Sequence, residues 1–134
     1  MRRVLITGSR QWVDGQAIFL DLDAEYDKAG GPDGEGLTVV HGGAAGADYL
    51  AASWVKYRRL SLFLNIHAEE HLANWNLYGR KAGILRNIYM VECGADRCLA
   101  YIYDNSRGAT HCAGAAHRAG IDTRITRFDR LTRH

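Results

Sequence analysis

The sequence predicts a doubly wound α/β domain, a parallel sheet of about five strands with helices on both faces. Three observations predict it. Short apolar, β-branched runs alternate with segments of helical periodicity along the chain, the pattern of successive βαβ units. The runs beginning at Arg3, Leu37 and Arg97 each end in a glycine-containing turn that opens a helix. The 134 residues hold 15 glycines and 1 proline, which suits repeated tight strand-to-helix turns better than an all-β chain punctuated by proline.

Arg3-Val4-Leu5-Ile6-Thr7 reads as a first buried strand ending at Gly8-Ser9-Arg10. A helix follows, with Val13, Ile18, Leu22 and Tyr26 expected inward and Asp14, Asp21, Glu25 and Lys28 outward. Residues 28–36 read as a surface linker despite their glycines, because they follow a helix C-terminal end, where the dipole disfavours phosphate. The second strand, 37–41, runs into Gly42-Gly43-Ala44-Ala45-Gly46-Ala47-Asp48. Ala47, Leu50, Ala51, Trp54 and Val55 then repeat at i, i+3, i+4, i+7 and i+8, the apolar stripe of a helix ending near Arg58-Arg59.

A third strand is expected at 60–66, then a polar, aromatic loop with a helical turn at 67–79. A helix at 80–92 should bury Leu85, Ile88 and Val91 and stop at Gly94. The fourth strand, 97–103, leads into the turn Asn105-Ser106-Arg107-Gly108, a small-residue helix at 109–119 and a fifth strand at 121–125. No internal repeat or linker divides the chain, and its length is that of one domain, so 1–134 is expected to be a single domain.

An apolar fraction of 47% and a charged fraction of 24% exclude a disordered or collagen-like chain. Fourteen of the 17 basic residues are Arg, which grips phosphate with a planar fork, but a formal charge of +2 is too small to predict non-specific nucleic-acid binding. Three cysteines and no secretory apolar region predict a reducing cytoplasm without a disulfide framework. No run approaches the ~18 apolar residues of a membrane span, so no membrane association is expected.

In doubly wound sheets a ligand sits outside the carboxyl ends of the strands, where the strand order switches, and all three special turns are expected there. Gly8-Ser9-Arg10 offers amides, a hydroxyl and a guanidinium. Gly42-Gly43 with Gly46 permits close backbone approach at a helix N-terminus, and Ser106-Arg107-Gly108-Ala109-Thr110 repeats the device. Neither the Walker A pattern nor G-x-G-x-x-G is present, which argues against an ATPase or an ordinary NAD-dependent dehydrogenase.

The segments Val4-Leu5-Ile6-Thr7-Gly8-Ser9-Arg10, Val40-His41-Gly42-Gly43-Ala44-Ala45-Gly46-Ala47-Asp48, Trp75 with Tyr78-Gly79, Ala82-Gly83-Ile84-Leu85-Arg86-Asn87 and Ser106-Arg107-Gly108-Ala109-Thr110 together resemble the YspA/cpYpsA-related branch of the SLOG superfamily. The superfamily also includes LOG-type phosphoribohydrolases and the DNA-processing protein DprA. The resemblance implies a Rossmann-like domain that binds nucleotides, ADP-ribose-like ligands or related signals. It implies that Gly8, Ser9 and Arg10 line the site and that Gly42, Gly43, Gly46 and Asp48 form the main phosphate-facing loop. Asp48 either caps its helix or binds a ribose hydroxyl. Arg86 and Asn87 match the family's Arg-Asn pair, an Arg to clamp phosphate and an Asn to read a base or sugar; a solvated Arg beside a cap-competent Asn is the alternative. Arg86→Ala is accordingly expected to abolish phosphate-ligand binding with little loss of fold.

At the third turn LOG-type hydrolases resemble P-G-G-x-G-T-x-x-E, whose Glu serves in cleaving the base–ribose bond. Here Asn105-Ser106-Arg107-Gly108-Ala109-Thr110-His111-Cys112-Ala113 lacks the proline, one glycine and the glutamate. His111 and Asp104 are read as structural, so no catalytic residue is assigned.

Other patterns are set aside. His67-Ala68-Glu69-Glu70-His71 fits H-x-x-E-H but follows a strand end and lacks a third ligand, and Cys93, Cys98, His111 and Cys112 lack zinc-site spacing, so no metal is expected and the thiols are read as buried. Trp75 and Tyr78 either stack on a base or serve in core packing or as a lid. Arg124, Arg127, Arg130 and Arg133 read as a solvated strand end.

The function expected is binding of a phosphate-bearing, nucleotide-derived small molecule, by a sensor or a sequestering protein, through Gly8, Ser9, Arg10, Gly42, Gly43, Gly46, Asp48, Trp75, Arg86, Asn87, Ser106, Arg107, Gly108 and Thr110. No cofactor is expected, and a homodimer sharing the pocket fits the fold. The rivals are a LOG-like N-glycosidase and a DprA-like single-strand binder or protein-interaction module.

Overall fold

Alternation along the central strands assigns the two faces of the sheet. β1 (Arg2–Gly8) sends Val4 and Ile6 into one hydrophobic core and Leu5 into the other. β2 (Leu37–His41) divides the same way, Leu37 and Val39 against Val40, and so does β4 (Arg97–Tyr103), Leu99 and Tyr101 against Cys98. With β3 (Ile66–Glu70) and β5 (Asp122–Phe128) at the edges, all five strands run parallel in the order β3-β2-β1-β4-β5. This computed structural model describes residues 1–129.

The first core is covered by α1 (Gly15–Lys28), through Ile18, Leu22 and Tyr26, and by α2 (Ala47–Leu60), through Ala51, Trp54 and Val55. The second is covered by α4 (Ala82–Cys93), through Met90 and Val91, and by α5 (Arg107–Arg118), through Cys112 and Ala116. Between β3 and α4 lies the single turn of α3 (Trp75–Tyr78) and a 3₁₀ turn, Gly79–Lys81. The sheet is thus Rossmann-like and doubly wound, and its order reverses between β1 and β4, which puts the switch point between Gly8 and Tyr103.

Several local expectations give way. Val13 precedes α1 and is exposed, while Glu25, expected outward, is 2% exposed. Glu25 is buried because three cations converge on it from elsewhere: Arg2 from the start of β1 at 2.7 Å, Arg97 from the start of β4 at 3.3 Å, and Lys28 at 3.1 Å. Asp21 likewise turns inward and accepts a hydrogen bond from the Tyr101 hydroxyl at 2.8 Å.

The third strand begins at Ile66 rather than at 60. Leu60, at the end of α2, and Leu62 and Leu64, in the connection that follows, are exposed, and the connection is closed by the Arg59 guanidinium donating to the Ile66 carbonyl at 2.7 Å. As an edge strand, β3 tolerates the polar run that follows Ile66. In α4 the expected inward residues Leu85 and Ile88 are exposed; the helix buries Ala82, Asn87, Met90 and Val91 instead, rotated so that Asn87 reaches a hydrogen-bond partner on α5. The fifth strand extends to Phe128, and Arg124 and Arg127 lie on it, whereas Arg130 and Arg133 fall outside the described residues.

All three cysteines are free. Cys98 and Cys112 are buried, and burial pushes the Cys98 thiol up to about 12 and raises that of Cys112, so both are inert; Cys93, against expectation, is exposed. Among the described residues no helix is long and apolar enough to cross a membrane.

Candidate functional site

The carboxyl ends of β1 and β4 are tied by Ser9. Its amide donates to the Tyr101 carbonyl at 2.9 Å, and its 1% exposed hydroxyl accepts from the Tyr103 amide at 2.8 Å. A Cβ on Gly8 would strike Ala47 and stand 2.9 Å from the Tyr101 carbonyl, so glycine is what lets the start of α2 press against β1. Gly46, the N-cap of α2 at φ +75°, rides directly on the backbone of Ser9 and Arg10.

The first three amides of the loop 42–46 are engaged within the protein. Those of Gly42 and Ala44 each donate to Asp48 Oδ2 at 3.2 Å, and that of Gly43 donates to His41 Nδ1 at 3.0 Å. Burial holds His41 below its ordinary pKa, in keeping with a neutral ring that accepts at Nδ1. Asp48 lies within the first turn of α2 but is not its cap. Only 5% exposed, it braces the loop through Oδ2, while Oδ1 is buried with no partner among the described residues. Burial pushes its carboxyl up to about 6, against the pull of the Ala44 and Gly42 amides and of Arg86 and Arg10.

Arg86 is a clamp. Its Nη1 donates to the carbonyls of Gly42, at 2.7 Å, and His71, at 3.2 Å, and its Nε donates to Asn87 Oδ1 at 2.8 Å. Asn87 passes the connection to the Gly108 carbonyl at 3.5 Å. The alternative of a solvated Arg86, and the expectation that Arg86→Ala would cost little of the fold, give way, since its guanidinium joins the second turn, the segment after β3 and, through Asn87, the start of α5. At the third turn Ser106 is the N-cap of α5 without a side-chain bond, so no side chain caps the first-turn amides, and no acid occupies that turn.

One cleft of about 320 Å³ gathers these parts. It is lined by Gly8, Arg10, Asp48, Trp75, Arg80, Arg86, Asn87, Ser106 and Gly108, over Ile6 and Met90. A second lobe of about 400 Å³ shares Arg10, Ala44, Trp75 and Arg86 with it and adds Gly42 and Gly43. Ser9, Gly46, Arg107 and Thr110 stay outside both linings: Ser9 and Gly46 shape the turns, and Arg107 and Thr110 sit exposed at the start of α5. The run His67–His71 is strand β3 plus one residue, not a helix, and Glu69 is taken by Arg3, at 2.9 Å, and His71, at 2.8 Å. Among the described residues no three His, Cys, Asp or Glu side chains gather closely enough to hold a metal.

Residues 2–78 match the model of the YspA, cpYpsA-related SLOG family. The chain belongs to this family. Over 121 residues, 90% of this chain and 93% of its relative, it is 48% identical to the Gene 61 protein of Mycobacterium phage D29. No solved structure matches. The family match ends at Tyr78, so the Arg86-Asn87 pair and the third turn of this SLOG chain stand on their own geometry.

That geometry adds residues to the SLOG site that the sequence did not reveal. Arg80 lines the cleft from the 3₁₀ turn before α4, where helical periodicity gave it no distinguishing position. Gln11 follows Arg10 into the cleft, and Gly83 makes room for the Trp75 ring, which a Cβ there would meet at 3.3 Å. Trp75 itself is 50% exposed. The SLOG cleft thus combines three arginines, an uncapped helix end, a buried carboxylate with one oxygen unpartnered among the described residues and a half-exposed indole.

Proposed function

We propose that this SLOG chain binds a phosphate-bearing, nucleotide-derived small molecule at the switch point, as a sensor or sequestering protein. The observation that carries the reading is the convergence on one cleft of Arg10, Arg80 and Arg86, the uncapped start of α5 and Asp48, whose buried Oδ1 has no partner among the described residues. The guanidinium groups and helix amides hold phosphate. Asp48 Oδ1 accepts from a ribose hydroxyl, which supplies the partner that a buried carboxylate oxygen requires. Trp75 stacks on the base. The amides of Gly42, Gly43 and Ala44 serve Asp48 and His41, which favours a phosphate on the side of α5 over one in the 42–46 loop.

A second reading, cleavage of an N-glycosidic bond, has one specific support. The third turn lacks a glutamate, but Asp48 brings a carboxylate into the same cleft, where it would stabilise an oxocarbenium-like sugar or activate water. The free cysteines support a reducing compartment such as the cytoplasm, and the exposed apolar face of α4 supports a homodimer.

The test is thermal unfolding against NAD, ADP-ribose, cyclic ADP-ribose isomers, cyclic dinucleotides and mononucleotides, with chromatography of every ligand that stabilises. At a hundred times its dissociation constant a ligand adds about 2.7 kcal/mol. Stabilisation with the ligand returned intact supports the binder, a cleaved ligand supports the hydrolase, and no stabilisation removes both.

A further inference from the structure

A second cleft, of about 380 Å³, opens on the other side of the loop between β1 and α1. Trp12, Tyr103 and Phe128 line it, with the exposed Val13 and Arg127. The Tyr103 and Phe128 rings stack with centroids 5.5 Å apart and planes within 10° of parallel. Trp12 is 5% exposed and is held by its Nε1 donating to the Asp14 carbonyl at 3.0 Å. The Arg127 guanidinium approaches Asn105 Oδ1 at 3.4 Å. Among the described residues this is an aromatic slot with one cation at its edge, unlike the cation-rich first cleft.

The two clefts adjoin. Gln11 lines both, its neighbour Arg10 lines the first and its neighbour Trp12 the second. The Cα atoms of Arg10 and Trp12 are at most about 8 Å apart. Ser9, the residue after β1, ties the β1 end to the slot, its hydroxyl accepting from the amide of the slot residue Tyr103.

We infer that the ligand carries two ring systems joined through phosphate, a dinucleotide-type molecule. Its phosphate lies at Arg10 and the start of α5, one ring rests on Trp75, and the other enters the slot of Trp12, Tyr103 and Phe128. The inference rests on the function proposed above and names its ligand class. Aromatic side chains in an apolar slot select a planar heteroaromatic ring by stacking, and Arg127 at the rim donates to an acceptor atom on the edge of such a ring. A mononucleotide fills only the first cleft.

The experiment is calorimetric titration of ADP against diadenosine diphosphate, and of GDP against diguanosine diphosphate, on the wild type, Phe128→Ala and Arg127→Ala. At least one two-ring ligand should bind the wild type ten-fold or more tighter than its one-ring counterpart. Phe128→Ala should erase that advantage and leave one-ring affinity unchanged. Arg127→Ala, a change at an exposed edge-strand side chain that spares the fold, should cut it several-fold. Equal affinities in the wild type, or an advantage that survives both substitutions, overturn the inference and leave the proposed function standing. Absence of binding by all four ligands also overturns it, while the broader thermal panel judges the function independently.

Discussion

The guanidinium of Arg86 occupies the space that a Cβ on Gly42 would need, and Nη1 donates to the Gly42 carbonyl at 2.7 Å. Gly42→Ala therefore displaces the clamp and lowers stability and ligand affinity together. Arg86→Ala leaves the carbonyls of Gly42 and His71 and the Asn87 side chain short of a donor, at a cost of about 1–3 kcal/mol. Urea denaturation of both variants measures this; an Arg86→Ala protein as stable as the wild type would show that the guanidinium serves ligand alone.

Asp48 makes stability depend on pH in the direction opposite to most carboxylates. Its folded value of about 6 lies above the ordinary 3.8, so the folded state holds the proton more tightly than the unfolded chain. Stability rises as pH falls from about 6 towards 4, and keeping the group ionised above that window costs on the order of 3 kcal/mol. Asp48→Asn should flatten this part of the wild-type curve, be relatively more stable above pH 6, and bind ligand more weakly because an amide NH2 replaces the accepting oxygen. Ligand affinity of the wild type should increase as pH rises through about 6. Denaturation curves between pH 4 and 8 with the same slope for both proteins would refute the assignment.

Trp75 is half exposed, whereas Trp12 and Trp54 are 5% and 0% exposed. Acrylamide quenching therefore reports mainly on Trp75, and a ligand ring stacked on it should protect the fluorescence. Trp75→Phe should remove most of the quenchable signal and weaken binding about ten-fold, the effect of losing part of a stacking surface. Quenching unaffected by a saturating ligand would take Trp75 out of the site.

The outward face of α4 carries Ile84, Leu85, Ile88 and Tyr89, each at least 37% exposed. Such a face predicts self-association, and Ile88→Glu should abolish it while leaving the folded monomer intact. Sedimentation velocity across a concentration series decides: a wild type that is monomeric throughout contradicts the homodimer.

The sheet was legible because β1, β2 and β4 are buried on both faces and so read as continuous apolar runs. The edge strand β3 was not: its polar residues look like a loop, and the leucines before it look like a strand. In the site, Gly8, Arg10, Asp48, Trp75, Arg86, Asn87, Ser106 and Gly108 do meet in one cleft. The roles of Ser9 and Arg86 were not legible, because their partners are backbone atoms far along the chain, the Tyr103 amide and the Gly42 and His71 carbonyls. Arg80 was missed because no periodicity marks a residue in a 3₁₀ turn, and the burial of Glu25 because its cations arrive from two other strands and from the end of its own helix.

The knot of Arg2, Lys28 and Arg97 around Glu25 lies where β1 and β4 begin, and the cleft lies where they end. Anchorage and workplace therefore occupy opposite poles of one sheet. Residue changes around the cleft trade ligand chemistry against local structure while the ionic closure at the far pole stays whole. A lineage built on this architecture has room to diversify what it recognises without rebuilding what keeps it folded.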